Sequence, residues 1–246
     1  MKIRIKNVLF DFGDTLVQAS PQYSQDSCLL RLAKSLAKNG ISISLEDIRR
    51  AYEAVYKAVY KEIHTRNALR EVAYDVVLSR VLSLCGYSLD PVDKAVAEAA
   101  EAFMECWIQA RTMEKNVPSI LRTLKKNYSL GVVSNLAFSP AVRKTLEMFD
   151  VAKYFEAIIV SADDGWRKPN PKIFKKALRT MGISASETVY VGDELDHDVE
   201  GARKVGMHTV LLKRPFTNMA ASNVKPDAII CEWKDLPKAI KTIGEC

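Results

Sequence analysis

At 246 residues, 48% hydrophobic and 27% charged, the chain carries enough apolar material for one large core with an insertion, or for two cores. It holds no run of 18 uncharged apolar residues, and Met1-Lys2-Ile3-Arg4-Ile5-Lys6 lacks the apolar stretch of a signal peptide; a membrane span and export are therefore not expected, and a soluble, cytoplasmic protein is. The net charge of +6 is modest for a nucleic-acid binder, and residues 15–115 hold 13 basic and 13 acidic side chains, so the excess lies elsewhere, where it suits an anionic small substrate or an ordinary solvated surface.

Val8-Leu9-Phe10, with Ile3 and Ile5 before it, reads as a buried strand: apolar, too short for a helix, and closed by the turn signal Asp11-Phe12-Gly13-Asp14. Asp11 then stands at a strand's carboxyl end, where open parallel sheets bind ligands. From Leu16 the pattern is helical for about a hundred residues. One helix is predicted over 28–38, ended by Asn39-Gly40; a second opens on Ser44 and Asp47 as a capping box and runs to Ile63. A third covers 72–85, stopped at Gly86, and a fourth opens at Asp90-Pro91 and runs through Trp107. Tyr52, Tyr56 and Tyr60 recur every four residues and are expected to pack along one helix face.

After Val117 strands and helices alternate. Strands are predicted at 130–134, 157–161, 188–192, 208–212 and 227–231, with amphipathic stretches at 120–126, 141–149, 171–181, 198–205 and 236–243. Near-continuous apolar strands separated by helices imply a parallel sheet covered on both faces. The fold class expected is α/β, a Rossmann-like parallel sheet with an inserted α-helical domain: 1–16 and 116–246 form the core and 17–115 the helical unit. Cys28, Cys85, Cys106, Cys231 and Cys246 are widely spaced, without Cys-x-x-Cys or a histidine at ligand spacing, so free thiols are expected rather than zinc or redox chemistry. His64, His197 and His208 are equally scattered.

Four strand ends carry polar residues of one chemical kind: Asp11; Ser134 and Asn135; Lys168 after Asp163-Asp164-Gly165-Trp166-Arg167; and Asp193 with Asp198. In a parallel sheet these ends meet at one edge. Three carboxylates crowd together ionised only around a cation, and oxygen ligands of this type favour Mg²⁺, leaving Lys168 and the Ser134 hydroxyl for phosphate oxygens. Singly, Lys168 also reads as a surface lysine before a proline, and 193–198 as an acidic helix start.

Asp11-Phe12-Gly13-Asp14-Thr15-Leu16, Val132-Val133-Ser134-Asn135, Lys168-Pro169-Asn170-Pro171-Lys172-Ile173-Phe174 and Val191-Gly192-Asp193-Glu194-Leu195-Asp196-His197-Asp198-Val199-Glu200-Gly201-Ala202 resemble the four ordered motifs of the haloacid dehalogenase superfamily, and the helical segment sits where that family inserts a helical cap. The resemblance implies a covalent mechanism with Asp11 as nucleophile. It also implies Mg²⁺ held by Asp11, the Gly13 carbonyl, Asp193 and, directly or through water, Asp198. Ser134 and Asn135 would hold the phosphoryl group, Thr15 the loop and substrate, and Lys168 would neutralise Asp11. Phosphatases of the family usually carry a second Asp two residues after the nucleophile as general acid; here that position is Gly13, with Asp14 one place later. Asp14 swung toward the leaving group, an acid from the cap, or slow turnover would each answer the shift. The function expected is a Mg²⁺-dependent phosphatase acting on a small phosphorylated metabolite, as a monomer or homodimer. The alternatives are a metal-independent 2-haloacid dehalogenase, whose fourth motif lacks the leading acid, and a weakly catalytic binding or regulatory protein. His64, Arg66, Arg70 and Arg111 are the cap residues to examine for contact with a substrate carboxylate.

Overall fold

A computed structural model of the chain describes residues 4–65 and 69–245, so Ile3, Arg66 and Cys246 lie outside the described residues. The chain runs through β1 (Asn7–Phe10), the short β2 (Gln18–Ala19) and four helices, α1 (Gln25–Lys38), α2 (Leu45–Thr65), α3 (Tyr74–Leu84) and α4 (Lys94–Gln109). After β3 (Arg111–Thr112) come α5 (Val117–Leu124), β4 (Ser129–Ser134), α6 (Ser139–Met148), β5 (Ala157–Val160), the short α7 (Ser161–Asp164) and α8 (Pro171–Met181). The last part holds β6 (Thr188–Gly192), a π-helical turn (Leu195–Val199), α9 (Glu200–Arg203), β7 (His208–Leu212), β8 (Ala228–Ile230) and α10 (Leu236–Glu245). No helix among the described residues is long and apolar enough to cross a membrane.

Six strands form one sheet in the order β5-β4-β1-β6-β7-β8, each pair parallel. Phe10 stands level with Val132 of β4 on one side and Val191 of β6 on the other, so the residues that follow these three strands emerge at one edge. The alternation of β1 shows why its sequence is apolar throughout. Val8 and Phe10 pack with Val132, Val191, Leu121 and Trp233 on one face, while Leu9 packs with Tyr190, Ile173 and Phe174 on the other. A separate apolar cluster lies within α1–α4, around Leu32, Ile48, Val55, Leu78, Val81 and Phe103.

Two expectations move. The fourth helix begins at Lys94 rather than at Asp90-Pro91, because Asp90 to Asp93 close a turn of their own: Asp93 N–H donates to the Asp90 carbonyl at 2.9 Å and Asp90 N–H to Asp93 Oδ2 at 2.7 Å. The helix expected at 198–205 is instead a π turn followed by one turn of α9. Pairs as short as β2 and β3, which join antiparallel where the chain leaves and re-enters the sheet region, carry no periodicity to read. The described cysteines Cys28, Cys85, Cys106 and Cys231 are free thiols.

Candidate active site

Asp11 follows β1 directly, is 7% exposed, and donates its backbone N–H to the Val191 carbonyl at 2.9 Å. Lys168 reaches it from the segment between α7 and α8. Gly165 turns the chain there in the left-handed region (φ 71°), and Asn170 caps α8 by accepting from the Lys172 N–H at 3.0 Å, with Pro171 at the first helical position. The buried Lys168 ammonium donates to Asp11 Oδ1, to Asp198 Oδ1 at 2.7 Å and to the Tyr190 hydroxyl at 3.1 Å, which uses all three of its donors. Tyr190 in turn donates to the Val133 carbonyl at 3.0 Å. Asp198 is fully buried inside the π turn, where its Oδ2 accepts from the Glu194 N–H at 3.1 Å. A Cβ on Gly192 would come within 2.3 Å of that Oδ2, so only glycine at the end of β6 lets Asp198 pack there. Asp193 completes the group, its Oδ1 accepting from the Thr15 hydroxyl at 2.9 Å and its carbonyl from the Thr217 hydroxyl at 3.1 Å.

One carboxylate oxygen from each of Asp11, Asp193 and Asp198 lies within 4.8 Å of the others. Burial pushes the Asp11 carboxyl up to about 7, against the pull of Lys168 and with the push of Asp198. Burial, then the charges of Asp11 and Asp198, push Asp193 up to about 8, which the Thr15 hydrogen bond opposes. Burial also works against the Lys168 ammonium, but Asp11 and Asp198 outweigh it and hold the group well above the usual lysine range. Three acids around one ammonium are short of positive charge, and Asp11 and Asp193 are both pushed toward the protonated form. The donor set is all oxygen, buried and converging, which fits a small hard divalent cation.

The other expected residues flank this group. Asn135 spends its amide on the Lys168 main chain, accepting from its N–H at 2.8 Å and donating to its carbonyl at 3.1 Å. These two bonds fix the Lys168 main chain beside the end of β4. The Thr15 hydroxyl is bonded to Asp193. Ser134 is buried at the end of β4, beside Asn135. Gly13 and Asp14 form an exposed turn, with Asp14 left-handed (φ 55°) and its carbonyl accepting from Arg214 Nε at 2.7 Å. Burial raises the Asp14 carboxyl, and the charges that act on it are Arg111, Arg214 and Glu194.

Between α2, α4 and the sheet edge lies a cleft of about 730 Å³ that reaches the core at Asn135 and Arg167, the neighbours of Ser134 and Lys168. All three tyrosines of the series line this cleft, but only Tyr52 is buried; Tyr56 and Tyr60 are 57% and 62% exposed. Their exposure corrects the packing expectation: the buried stripe of α2 runs through Tyr52, Val55, Val59 and Ile63, and Tyr56 and Tyr60 fall one position to its side. His64 also lines the cleft, its Nδ1 bonded to the Tyr60 carbonyl oxygen at 2.8 Å. Arg70 lies over Trp166 at 4.3 Å, and Arg111 over Trp107 at 4.2 Å and Tyr23 at 4.8 Å.

The family model of haloacid dehalogenase-like hydrolases matches residues 8–212. The chain belongs to this family. Among curated proteins, this hydrolase is similar to a glyceraldehyde 3-phosphate phosphatase of Methanopyrus kandleri, 28% identical over 85% of the chain and 84% of the relative. Among solved structures it is similar to a 2-haloacid dehalogenase from Pseudomonas syringae pv. Tomato DC3000, with a TM-score of 0.68 at 27% identity over 97% of this chain and 99% of that one. It also resembles a haloacid dehalogenase-like phosphatase from Thermococcus onnurineus, with a TM-score of 0.63 at 25% identity over 95% and 97%.

Reasoning from the sequence assigns no role to four residues of the hydrolase site. Tyr190 and Gly192 sit inside an apolar strand, and the one signal there is a hydroxyl in a run buried on both faces. Glu71 and Arg167 join the helical segment to the Lys168 loop. Glu71, with a side chain 3% exposed, accepts from Arg167 Nη1 and from the Ser161 hydroxyl, both at 2.5 Å, and Arg167 N–H donates to the Leu69 carbonyl at 2.8 Å.

Proposed function

We propose that this hydrolase is a phosphatase that cleaves small phosphomonoesters through a phosphoryl group carried on Asp11. Mg²⁺ would be held by Asp11, Asp193 and the Gly13 carbonyl, with Asp198 behind them, and residues 17–115 would act as the cap over the site. When bound, the metal supplies the positive charge that lets these carboxylates ionise beside a phosphate. An Asp11 oxygen attacks phosphorus as the bond to the ester oxygen breaks. Water then attacks the same phosphorus, releasing phosphate and restoring the carboxylate. Lys168 stays protonated and neutralises Asp11 and the phosphoryl oxygens, and Ser134 offers its hydroxyl to the latter. Gly13 brings no acid, and the exposed, left-handed Asp14 is held through its carbonyl by Arg214, so the leaving oxygen takes its proton from solvent and turnover is slow.

The observation that carries the reading is the buried cluster of three carboxylates with a single ammonium. Displacement of halide without a metal has no use for two further buried carboxylates, Asp193 and Asp198, converging on Asp11. Hydrolysis of p-nitrophenyl phosphate that needs Mg²⁺ and stops on chelation is the expected result. Chloride release from 2-chloropropionate that survives chelation would give the site to the dehalogenase reading, and no turnover on any phosphomonoester would favour a binding or regulatory role.

The missing acid gives a gain-of-function test. A Cβ at Gly13 meets nothing within 4 Å, and the backbone there is outside the left-handed region, so an aspartate fits. Gly13→Asp is expected to raise kcat on an alkyl phosphate by up to about 10²-fold, the lower range for a positioned general acid, while Asp14→Asn changes it less than about twofold. Stopped assays of phosphate release on both variants check this pair.

A further inference from the structure

The cleft is mismatched to the triose phosphate for which the Methanopyrus kandleri relative is named. A volume of about 730 Å³ falls within the roughly 300–1,000 Å³ of pockets that enclose drug-sized ligands, and a three-carbon ester would leave most of it to water. Its wall is aromatic. Tyr52 and Tyr56 stack with ring centroids 5.7 Å apart at 18°, Tyr60 stacks with His64 at 4.1 Å, and the outer faces of Tyr56 and Tyr60 remain open. Such rings stand where a solvated helix would ordinarily carry charge, and their flat faces with polar rims suit a ring better than a bare alkyl chain. The charge balance argues against a small acid as the recognised group. Arg167, where the cleft meets the core, is already paired with Glu71, and the two charged residues of α2 on the wall, Glu53 and Lys57, are of opposite sign.

We propose that the leaving group of the substrate carries a flat aromatic or heteroaromatic ring that stacks against Tyr56 and Tyr60, so that the preferred esters are arylalkyl phosphates or nucleoside monophosphates. The proposal rests on the phosphatase reading for its chemistry but not for its binding. With the phosphate between Ser134 and Lys168, the ring extends past Asn135 and Arg167 into the cleft.

Benzyl phosphate and propyl phosphate have leaving groups of similar basicity, so their ratio of kcat/KM in the presence of Mg²⁺ reports the ring. A ratio of about ten or more is expected, falling about tenfold in Tyr56→Ala and in Tyr60→Ala, the loss typical of one stacking partner. Tyr56→Phe, which keeps the ring face, should restore most of it. Adenosine and uridine monophosphates form the second arm: a kcat/KM above that of benzyl phosphate assigns the ring to a nucleobase, and one below it to an aryl group. A wild-type ratio near one, with propyl phosphate turned over, overturns the ring and leaves the phosphatase standing. If no ester is turned over, the phosphatase reading fails, and calorimetric titration with adenosine monophosphate decides the ring separately. Binding weakened about tenfold in Tyr56→Ala supports it, and no binding to the wild type overturns it.

Discussion

Asp11→Asn is expected to lower phosphate release by more than about 10³-fold, the scale on which removal of a covalent nucleophile is felt. The amide matches the carboxylate in shape but cannot attack phosphorus, and its NH₂ group gains nothing from the Lys168 ammonium beside it. Misfolding does not explain the loss, and the sign of the electrostatics shows why. Burial raises the Asp11 carboxyl from 3.8 to about 7, so between these values the folded protein holds a proton that the unfolded chain has released. Stability from this group is present below about pH 4 and lost as pH rises toward 7. Removing the carboxyl removes that penalty, and Lys168 keeps Asp198 at 2.7 Å as its partner. The variant should therefore melt at pH 8 no lower than the metal-free wild type while being inactive. Retention of more than a tenth of the rate would remove Asp11 from the nucleophile's role.

The parts of this molecule that could be read from the chain are those set by a single repeating rule. All six strands of the main sheet fall within two residues of their predicted ends because both faces of the sheet are buried, which makes each strand a short unbroken apolar run. Parallel strands then bring Asp11, Asp193 and Asp198 together without further information, and Lys168 joins them from the loop ahead of α8. What escaped depends on side-chain direction. Asn135 follows β4 as expected, yet its amide turns to the Lys168 main chain, a choice made by a neighbour 33 residues away. Tyr56 and Tyr60 share a four-residue spacing with Tyr52, but the spacing says nothing about which neighbour covers them, and the cleft leaves them open. The pairing of Glu71 with Arg167 spans 96 residues and has no local signature.

Lys168→Met tests the charge balance itself, with the second large effect. The side chain is 2% exposed and its ammonium faces two buried carboxylates and a buried tyrosine. Removing one partner of such a group costs about 3–5 kcal/mol, against about 0–1 for an exposed pair. For a chain of this size that is a fall in Tm of about 6–20 °C. Lys176→Met, which breaks a partly exposed pair with Asp164, serves as the small-effect control. The deficit should also depend on pH. The lysine is held above its ordinary range, so its own charge is fully present from pH 6 to 8. The carboxyls of Asp11 and Asp193, pushed up to about 7 and about 8, lose protons across that window, and without the ammonium each loss costs more. The gap from wild type therefore widens as pH rises from 6 to 8 and narrows on addition of Mg²⁺, which supplies charge to the same oxygens. Activity at saturating Mg²⁺ should still fall by about 10²–10³-fold, since a metal beside the carboxylates does not replace the ammonium that holds Asp11 and Asp198 in place and offsets the charge of the phosphoryl group. A Lys168→Met protein that melts with the wild type at pH 8 would mean that the three carboxylates do not depend on the ammonium, and the charge shortage that calls for a divalent cation would lose its basis.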